Sequence, residues 1–280
     1  MDTSTLKPDE VAVYFLKSGI AKHNDRYENI FFKAVLAGVM LSFGGLLSEV
    51  ISGGAPGLTE SNPGIVKILG GFVFPVGLVI NMMVFPMAVA KRVIPWWSLP
   101  LNFLIVTFGN LVGSLFFGAI LVKYSGILST APYNAYVVSF ALKKAADPTW
   151  AQIFLRGIGC NWLVCIAVWQ AAGAKETVSK IYAIWLPIWL FVACSFDHVV
   201  ANMFSVPLGI MFGADLTTAE YIRKSLIAAY LGNIVGALFV ALPATYFYLW
   251  DYDVSGLRDA EAGMVEGRDT SSTPDDEKRR

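Results

Sequence analysis

Long apolar runs separated by short polar links dominate the chain between residues 31 and 249. A helix needs about 20 consecutive apolar residues to cross the hydrocarbon core of a bilayer. The pattern therefore predicts an all-α polytopic membrane protein with six transmembrane spans, at residues 31–51, 68–90, 99–122, 153–173, 181–214 and 226–249.

The fifth run is too long for one simple span. Its 34 residues would form a helix of about 50 Å, whereas the hydrocarbon core is about 30 Å thick. Pro187, Pro207 and the small pair Cys194-Ser195 offer places where this helix could break. A broken helix at membrane depth is tolerated only where its backbone lines a cavity. We therefore expect a pore or transport path at this run.

The remaining segments carry weaker signals. Residues 1–29 form a polar arm with a short helix, beginning near Pro8, that is expected to lie along the membrane surface. The link over residues 52–64 is rich in Gly and Pro and is expected to be irregular. The second run contains two prolines and should be kinked. The link over residues 123–149 should hold a surface helix, and the polar tail over residues 251–280 should be disordered.

Composition agrees with a membrane protein. The 280 residues are 56% hydrophobic and only 15% charged, with a mean hydropathy of +0.59, whereas soluble domains carry about 25% charged residues. The formal net charge of zero argues against nucleic acid as a partner. All three cysteines fall in apolar runs, so we expect buried thiols and neither disulfides nor a metal site. We expect no cofactor and no cleavable signal peptide.

Two short patterns recur along the chain. The Asn-Met pair and Pro of residues 81–87 return at residues 202–208, a shift of 121, and the Gly-Asn pattern of residues 108–113 returns at residues 231–236, a shift of 123. With three spans in each half, the second copy would enter the membrane from the opposite side. This predicts an inverted 3+3 repeat with a site near the midplane. Both termini would then share one side, which the distribution of Lys and Arg assigns to the cytoplasm.

His198, with Asp197 beside it, is the strongest candidate for chemistry. A buried neutral imidazole that joins two helices is the plainer interpretation, but membrane depth and the helix break favour a functional group that can exchange a proton with a passing anion. Phe74 and Phe191 lie beside the two interrupted runs, so they are either packing residues or hydrophobic gates. The asparagines in apolar runs are candidates for hydrogen bonds between helices, and the glycines at residues 109, 113, 232 and 236 for tight helix packing.

Four segments together resemble the formate/nitrite transporter family: RGIGCNWLVCIAVWQA (residues 156–171), FDHVVANMFSVPLGI (196–210), FGNLVGSL (108–115) and LGNIVGALF (231–239). The amino-acid sequence of these segments is most similar to that of fungal-type nitrite transporters. The resemblance implies an aquaporin-like six-helix protomer, assembled as a homopentamer in the plasma membrane, with one pore in each protomer.

The resemblance also implies roles for individual side chains. The matching positions are His198 as the central pore histidine, Phe74, Phe191 and Val164 at an aromatic constriction, Asn161 and Asn202 as polar pore residues, and Lys22 and Lys144 as the lysines of the two vestibules.

One motif of the family is missing. The loop pattern G-x-[DE]-L-x-T-S-N, expected where the second helix breaks, does not occur between Gly77 and Asn81. Its acid, its Leu gate and the Thr that faces the histidine are therefore absent, as in a shortened splice form or an imperfect gene model.

The sequence thus predicts transport of small monovalent anions through the lipid bilayer, nitrite first and formate second, with a proton linked through His198. Two alternatives remain open. One is a non-conducting subunit that assembles with intact copies. The other is an intramembrane enzyme that uses Asp197 and His198, although no nucleophile or metal-ligand set accompanies them.

Overall fold

The computed structural model describes residues 4–77 and 84–257, and its regular elements are helices. The predicted all-helical class is confirmed. In chain order the helices are α1 (Pro8–His23), α2 (Tyr27–Gly53), α3 (Pro56–Ser61), α4 (Pro63–Val73), α5 (Val84–Ala90), α6 (Ser98–Phe116, continued as a π-helix over Phe117–Tyr124), α7 (Tyr133–Ala145), α8 (Trp150–Gly173), α9 (Thr177–Ala193), α10 (Val199–Met211), α11 (Thr218–Glu220, followed by a π-helix over Tyr221–Leu226) and α12 (Ile227–Leu249).

Four helical stretches among the described residues are long and apolar enough to cross a membrane: Tyr27–Gly53, Ser98–Tyr124, Trp150–Gly173 and Thr218–Leu249. The other two predicted spans are divided into shorter helices. Residues 68–90 contribute to α4 and α5, and residues 181–214 to α9 and α10. The number of six transmembrane spans and their arrangement as an inverted 3+3 repeat stay predictions.

The break in the fifth run lies between α9 and α10, and its geometry explains why it falls there. Ser195 has a positive φ of 62°, its N–H donates to Val192 O, and the Phe196 N–H donates to Phe191 O. These are the two bonds of a Schellman motif, which ends a helix at a residue of left-handed conformation. The break therefore uses the predicted Cys194-Ser195 pair. The expectation for the two prolines was wrong, because Pro187 and Pro207 lie inside α9 and α10.

The second run is interrupted as well. After α4 a single 3-10 turn covers Phe74–Gly77, and α5 begins at Val84. The motif predicted to be missing falls on residues 78–83, which lie outside the described residues. The link over residues 52–64 is not wholly irregular as expected, because α3 forms within it. Pro56 begins that helix at a position where its missing N–H costs nothing.

Helices pack tightly where the repeated glycines lie. Gly113 of α6 meets the carbonyl of Val35 on α2, and Gly236 of α12 meets the carbonyl of Ile158 on α8, so neither position has room for a β-carbon. The predicted close packing through small residues is confirmed at both places.

Helix α1 packs against α5, α8 and α12 at the face of the molecule where α2 begins and α8 and α12 end, called the terminal face below. Phe15 and Leu16 are buried there and share one apolar cluster with Phe74 and Phe191. Val254, in the first part of the predicted tail, is buried in the same cluster, and residues 258–280 lie outside the described residues. The opposite face, where α2 ends and α8 begins, is called the far face.

Candidate substrate pathway

A cavity of about 710 Å³ enters the molecule from the far face. The exposed residues Pro63 and Lys67 line its mouth, and His198 and the rings of Phe74 and Phe191 line its inner part. The cavity therefore connects the far face with the break between α9 and α10, where the sequence predicts the site.

The cavity wall carries an excess of positive charge. Its lining includes the four cationic side chains Lys67, Lys143, Lys144 and Arg156, and Asp147 is the carboxylate among the described residues that line it. An excess of one sign in a cleft with low-dielectric walls concentrates ions of the opposite sign. The cavity is therefore suited to draw in a small anion.

Lys144 holds the backbone of the break together. Its Nζ lies 2.9 Å from Asp197 Oδ1 and donates to the carbonyl oxygens of Phe196 (3.1 Å) and Ser195 (3.4 Å). Asp197 is fully buried, and Arg156 lies 4.0 Å from its other oxygen. A buried carboxylate needs such partners because removing it from water is costly.

Two asparagines fix the start of α10. Asn233 of α12 accepts the Val199 N–H and donates to the carbonyl oxygens of Gly157 and Asp197, each at 2.9 Å. The expected interhelical hydrogen bonding is confirmed for Asn233, whereas Asn110 donates to Val106 O within its own helix. Asn202 lines the cavity and donates to Asp197 Oδ1 at 3.4 Å.

His198 is the N-cap of α10 and faces the cavity. Its Nδ1 accepts the Ala201 N–H at 3.4 Å, so in the neutral ring the proton belongs on Nε2. Its ring centroid lies 5.8 Å from that of Phe191. The ring therefore both caps α10 and lines the cavity, and its role in transport stays a prediction.

The rings of Phe74 and Phe191 line the inner part of the cavity. Their centroids are 6.0 Å apart in an edge-to-face arrangement. Both belong to the apolar cluster that includes Val164 and continues to α1 at the terminal face. The two rings line the cavity and Val164 shares their apolar cluster; these three side chains are called the collar below, and their role as a constriction stays a prediction.

Two further predicted residues lie away from the cavity lining. Asn161 is fully buried on α8, one turn from Val164. Lys22 lies in the last turn of α1 at the terminal face. Burial, with Lys33 nearby, lowers the pKa of Lys22 to about 8. Its position at the terminal face agrees with the predicted vestibule, and Lys22 is not among the residues that line the cavity leading to His198.

The sequence did not identify several residues of the cavity lining, and its prediction of a buried Cys194 was wrong. Arg156 opens one of the four segments that carry the resemblance, and Lys67 is a lone lysine before an apolar run, so both had a signal. Cys194 was expected to be buried but is exposed and lines the cavity, because the helix break turns it out of the apolar packing. Among the described residues, no group of three or more His, Cys, Asp or Glu could hold a metal ion.

Comparisons with known proteins cover most of the chain. A family model described as "Formate/nitrite transporter" matches residues 9–247. A "Probable formate transporter" of Methanothermobacter thermautotrophicus is 39% identical over 239 residues, which cover 76% of this chain and 86% of that protein.

Two solved structures share the fold. A structure described as "Pentameric formate channel with formate bound" is 29% identical with a TM-score of 0.68, covering 80% of this chain and 98% of its own. An "FNT family ion channel" is 26% identical with a TM-score of 0.73, covering 85% of this chain and 97% of its own. The similar proteins are thus transporters and channels rather than enzymes.

Proposed function

Since the chain belongs to the formate/nitrite transporter family, we propose that it carries formate and nitrite across a membrane, with a proton linked to passage at His198. The observation that supports this most strongly is the cavity that leads from the far face, along a lining with four cationic side chains, to His198 and the rings of Phe74 and Phe191. One relative and one solved structure are named for formate, which supports formate as a substrate. The resemblance of the four sequence segments to fungal-type nitrite transporters supports nitrite as a second substrate.

The mechanism follows from the order of groups along the cavity. The cationic lining raises the local concentration of a monovalent anion. Moving that anion into the apolar collar is costly, whereas its neutral acid passes apolar surface at much lower cost. His198 is a titratable side chain of the lining where the collar begins. As the imidazolium it passes a proton to the anion, which crosses as the neutral acid, and the imidazole left behind takes up a proton from the water of the cavity.

Hydrogen bonds that hold the backbone of the helix break support proton transfer at His198. Lys144 bonds the Phe196 carbonyl before His198, and Asn233 bonds the Asp197 carbonyl before it and the Val199 N–H after it, so the imidazole keeps its position while an anion enters and leaves. Preorganised polar groups of this kind need no rearrangement at the moment of transfer.

The cellular arrangement belongs to the same proposal. The protein assembles as a homopentamer, by analogy with the similar formate channel, which is described as pentameric. It lies in the plasma membrane with both termini in the cytoplasm, so the cavity opens to the outside. The distribution of Lys and Arg supports this orientation.

Purified protein in liposomes tests the function directly. We expect saturable uptake of labelled formate and of nitrite at acidic external pH, competition between the two, and weaker competition by lactate and nitrate. Pentamers that show no flux of any of these anions would instead favour the non-conducting subunit. A change of the internal pH during uptake separates proton-linked passage from free diffusion of the anion.

A further inference from the structure

A buried carboxyl group on α2 is not used by the mechanism above. Glu49 is only 3% exposed within the spanning stretch Tyr27–Gly53. Ser205 of α10 is directed toward the carboxyl group, but neither oxygen has a partner in hydrogen-bonding geometry among residues 4–77 and 84–257. A buried ionisable group at membrane depth is a functional candidate by default.

Glu49 lies directly behind the wall of the cavity. Gly45 and Ser52, which share its side of α2 one turn before and one turn after it, both line the cavity. Tyr136 of α7 and Ser205 of α10 also line the cavity, and both interact electrostatically with Glu49. The carboxyl group therefore lies beside residues that line the anion path, without lining it itself.

No described cation neutralises this carboxyl group. No Lys, Arg or His of the described ranges forms an ion pair with it within 4.0 Å, in contrast to Asp197 with Lys144. Burial raises the pKa of Tyr136 to about 12, so this phenol stays neutral around Glu49 at physiological pH. The other charged or titratable groups of the cavity lining are Lys67 on α4, Lys143 and Lys144 on α7, Asp147 after α7, Arg156 on α8, Cys194 after α9 and His198 before α10. Among the described residues, no charged group of α6 or of the 3-10 turn after α4 acts on Glu49.

We propose that Glu49 is a charge gate for the anion path: the neutral carboxyl group lets a monovalent anion pass, and the carboxylate repels it. Charges separated by a few ångströms of low-dielectric protein interact far more strongly than in water. Ionisation of Glu49 would also place an uncompensated negative charge behind the wall between the cationic mouth and His198. This inference rests on the proposed anion transport and adds a second titratable group to it.

The test compares wild-type protein with Glu49→Gln, which keeps the shape of the side chain but cannot ionise. Formate uptake into liposomes is measured from pH 5 to pH 9, and the ratio of variant to wild-type rate is taken at each pH, because the ratio cancels the protonation of formate and of His198. We expect a ratio near one at the acidic end that rises several-fold toward the alkaline end. Glu60→Gln is the matched control, because Glu60 is an exposed carboxylate on α3 at the same face, and its ratio should stay at one throughout.

Each outcome of this experiment supports or overturns the charge gate at Glu49. A ratio for Glu49→Gln that is the same at every pH overturns the gate while leaving anion transport in place. Absence of uptake by the wild-type protein at every pH is a failure of the proposed function instead. If Glu49→Gln does not assemble, Glu49→Met, which is apolar and of similar length, should show the same loss of alkaline inhibition. Failure of both variants to form the wild-type oligomer would assign Glu49 to assembly and overturn the gate.

Discussion

Lys144 Nζ lies 2.9 Å from Asp197 Oδ1, so a lysine of α7 is bonded to the residue directly before His198. The pair is nearly removed from water, with 13% of the lysine side chain and none of the aspartate side chain exposed. The same ammonium group lines the cavity. One side chain thus both attracts the anion and holds the helix break that presents the imidazole.

Replacing Lys144 by Met should leave the Asp197 carboxylate buried with a distant Arg156. Breaking a buried pair on one side costs about 3–5 kcal/mol, so we expect a clear loss of thermal stability of the oligomer in detergent. Lys144→Met combined with Asp197→Asn should recover much of that stability without recovering uptake. Lys143→Met is the control: it lines the same cavity and should lower uptake with little effect on stability.

Two substitutions separate the role of His198 as the N-cap of α10 from the role of its imidazole in uptake. His198→Asn keeps an N-cap side chain but removes the imidazole, whereas His198→Phe removes both. Loss of an N-cap costs about 1 kcal/mol, so only His198→Phe should lower the melting temperature. Both variants should strongly reduce pH-dependent uptake of nitrite and formate with intact assembly; unchanged uptake in either would remove His198 from the mechanism.

The collar should decide which anions pass. Phe74→Leu keeps an apolar, buried side chain but shortens it where the ring meets Phe191. We expect the rate for lactate to rise relative to that for formate, because a wider apolar passage admits a larger acid. Phe72→Leu is the control, because Phe72 is 48% exposed on the outside of α4, and the lactate-to-formate ratio should not move.

Cys194 provides a chemical probe of the cavity. It is exposed in the lining, whereas Cys160 and Cys165 are buried, so a membrane-impermeant sulfonate thiol reagent should label Cys194 first. Labelling adds a negative charge beside the anion path and should block most of the uptake, while a cationic reagent of similar size should block less. The variant Cys194→Ser should be insensitive to both reagents, and block that persists in it would show that the cavity is not reached in this way.

Lys22 should make anion access from the terminal face depend on pH. Its pKa is lowered to about 8, so the ammonium is charged below that pH and becomes neutral as the pH rises through it. Uptake in vesicles that expose the terminal face should therefore fall above about pH 8. Lys22→Arg should keep its rate there, because the guanidinium remains charged, and Lys22→Gln should be slow at all pH values. The exposed Lys17, replaced by Gln, serves as the control and should follow the wild type.

The sequence by itself determined the features that depend on local composition and spacing. Apolar runs of spanning length give helices in water-free surroundings because every backbone group must be satisfied within the segment. The small pair Cys194-Ser195 marked the end of α9, and the repeated glycines marked places where two helices pack closely. His198 stood out because an ionisable residue rarely interrupts such a run.

Only the tertiary structure decided which polar groups meet. Lys144 and Asp197 are 53 residues apart in the chain, and Asn233 donates to the Asp197 carbonyl from 36 residues away. Glu49 on α2 interacts with Ser205 on α10. No local pattern encodes those pairings, because they depend on how the helices rotate and cross. Pro187 and Pro207 lie inside α9 and α10, because a proline can be tolerated within a membrane helix, whereas the left-handed backbone of Ser195 ends α9.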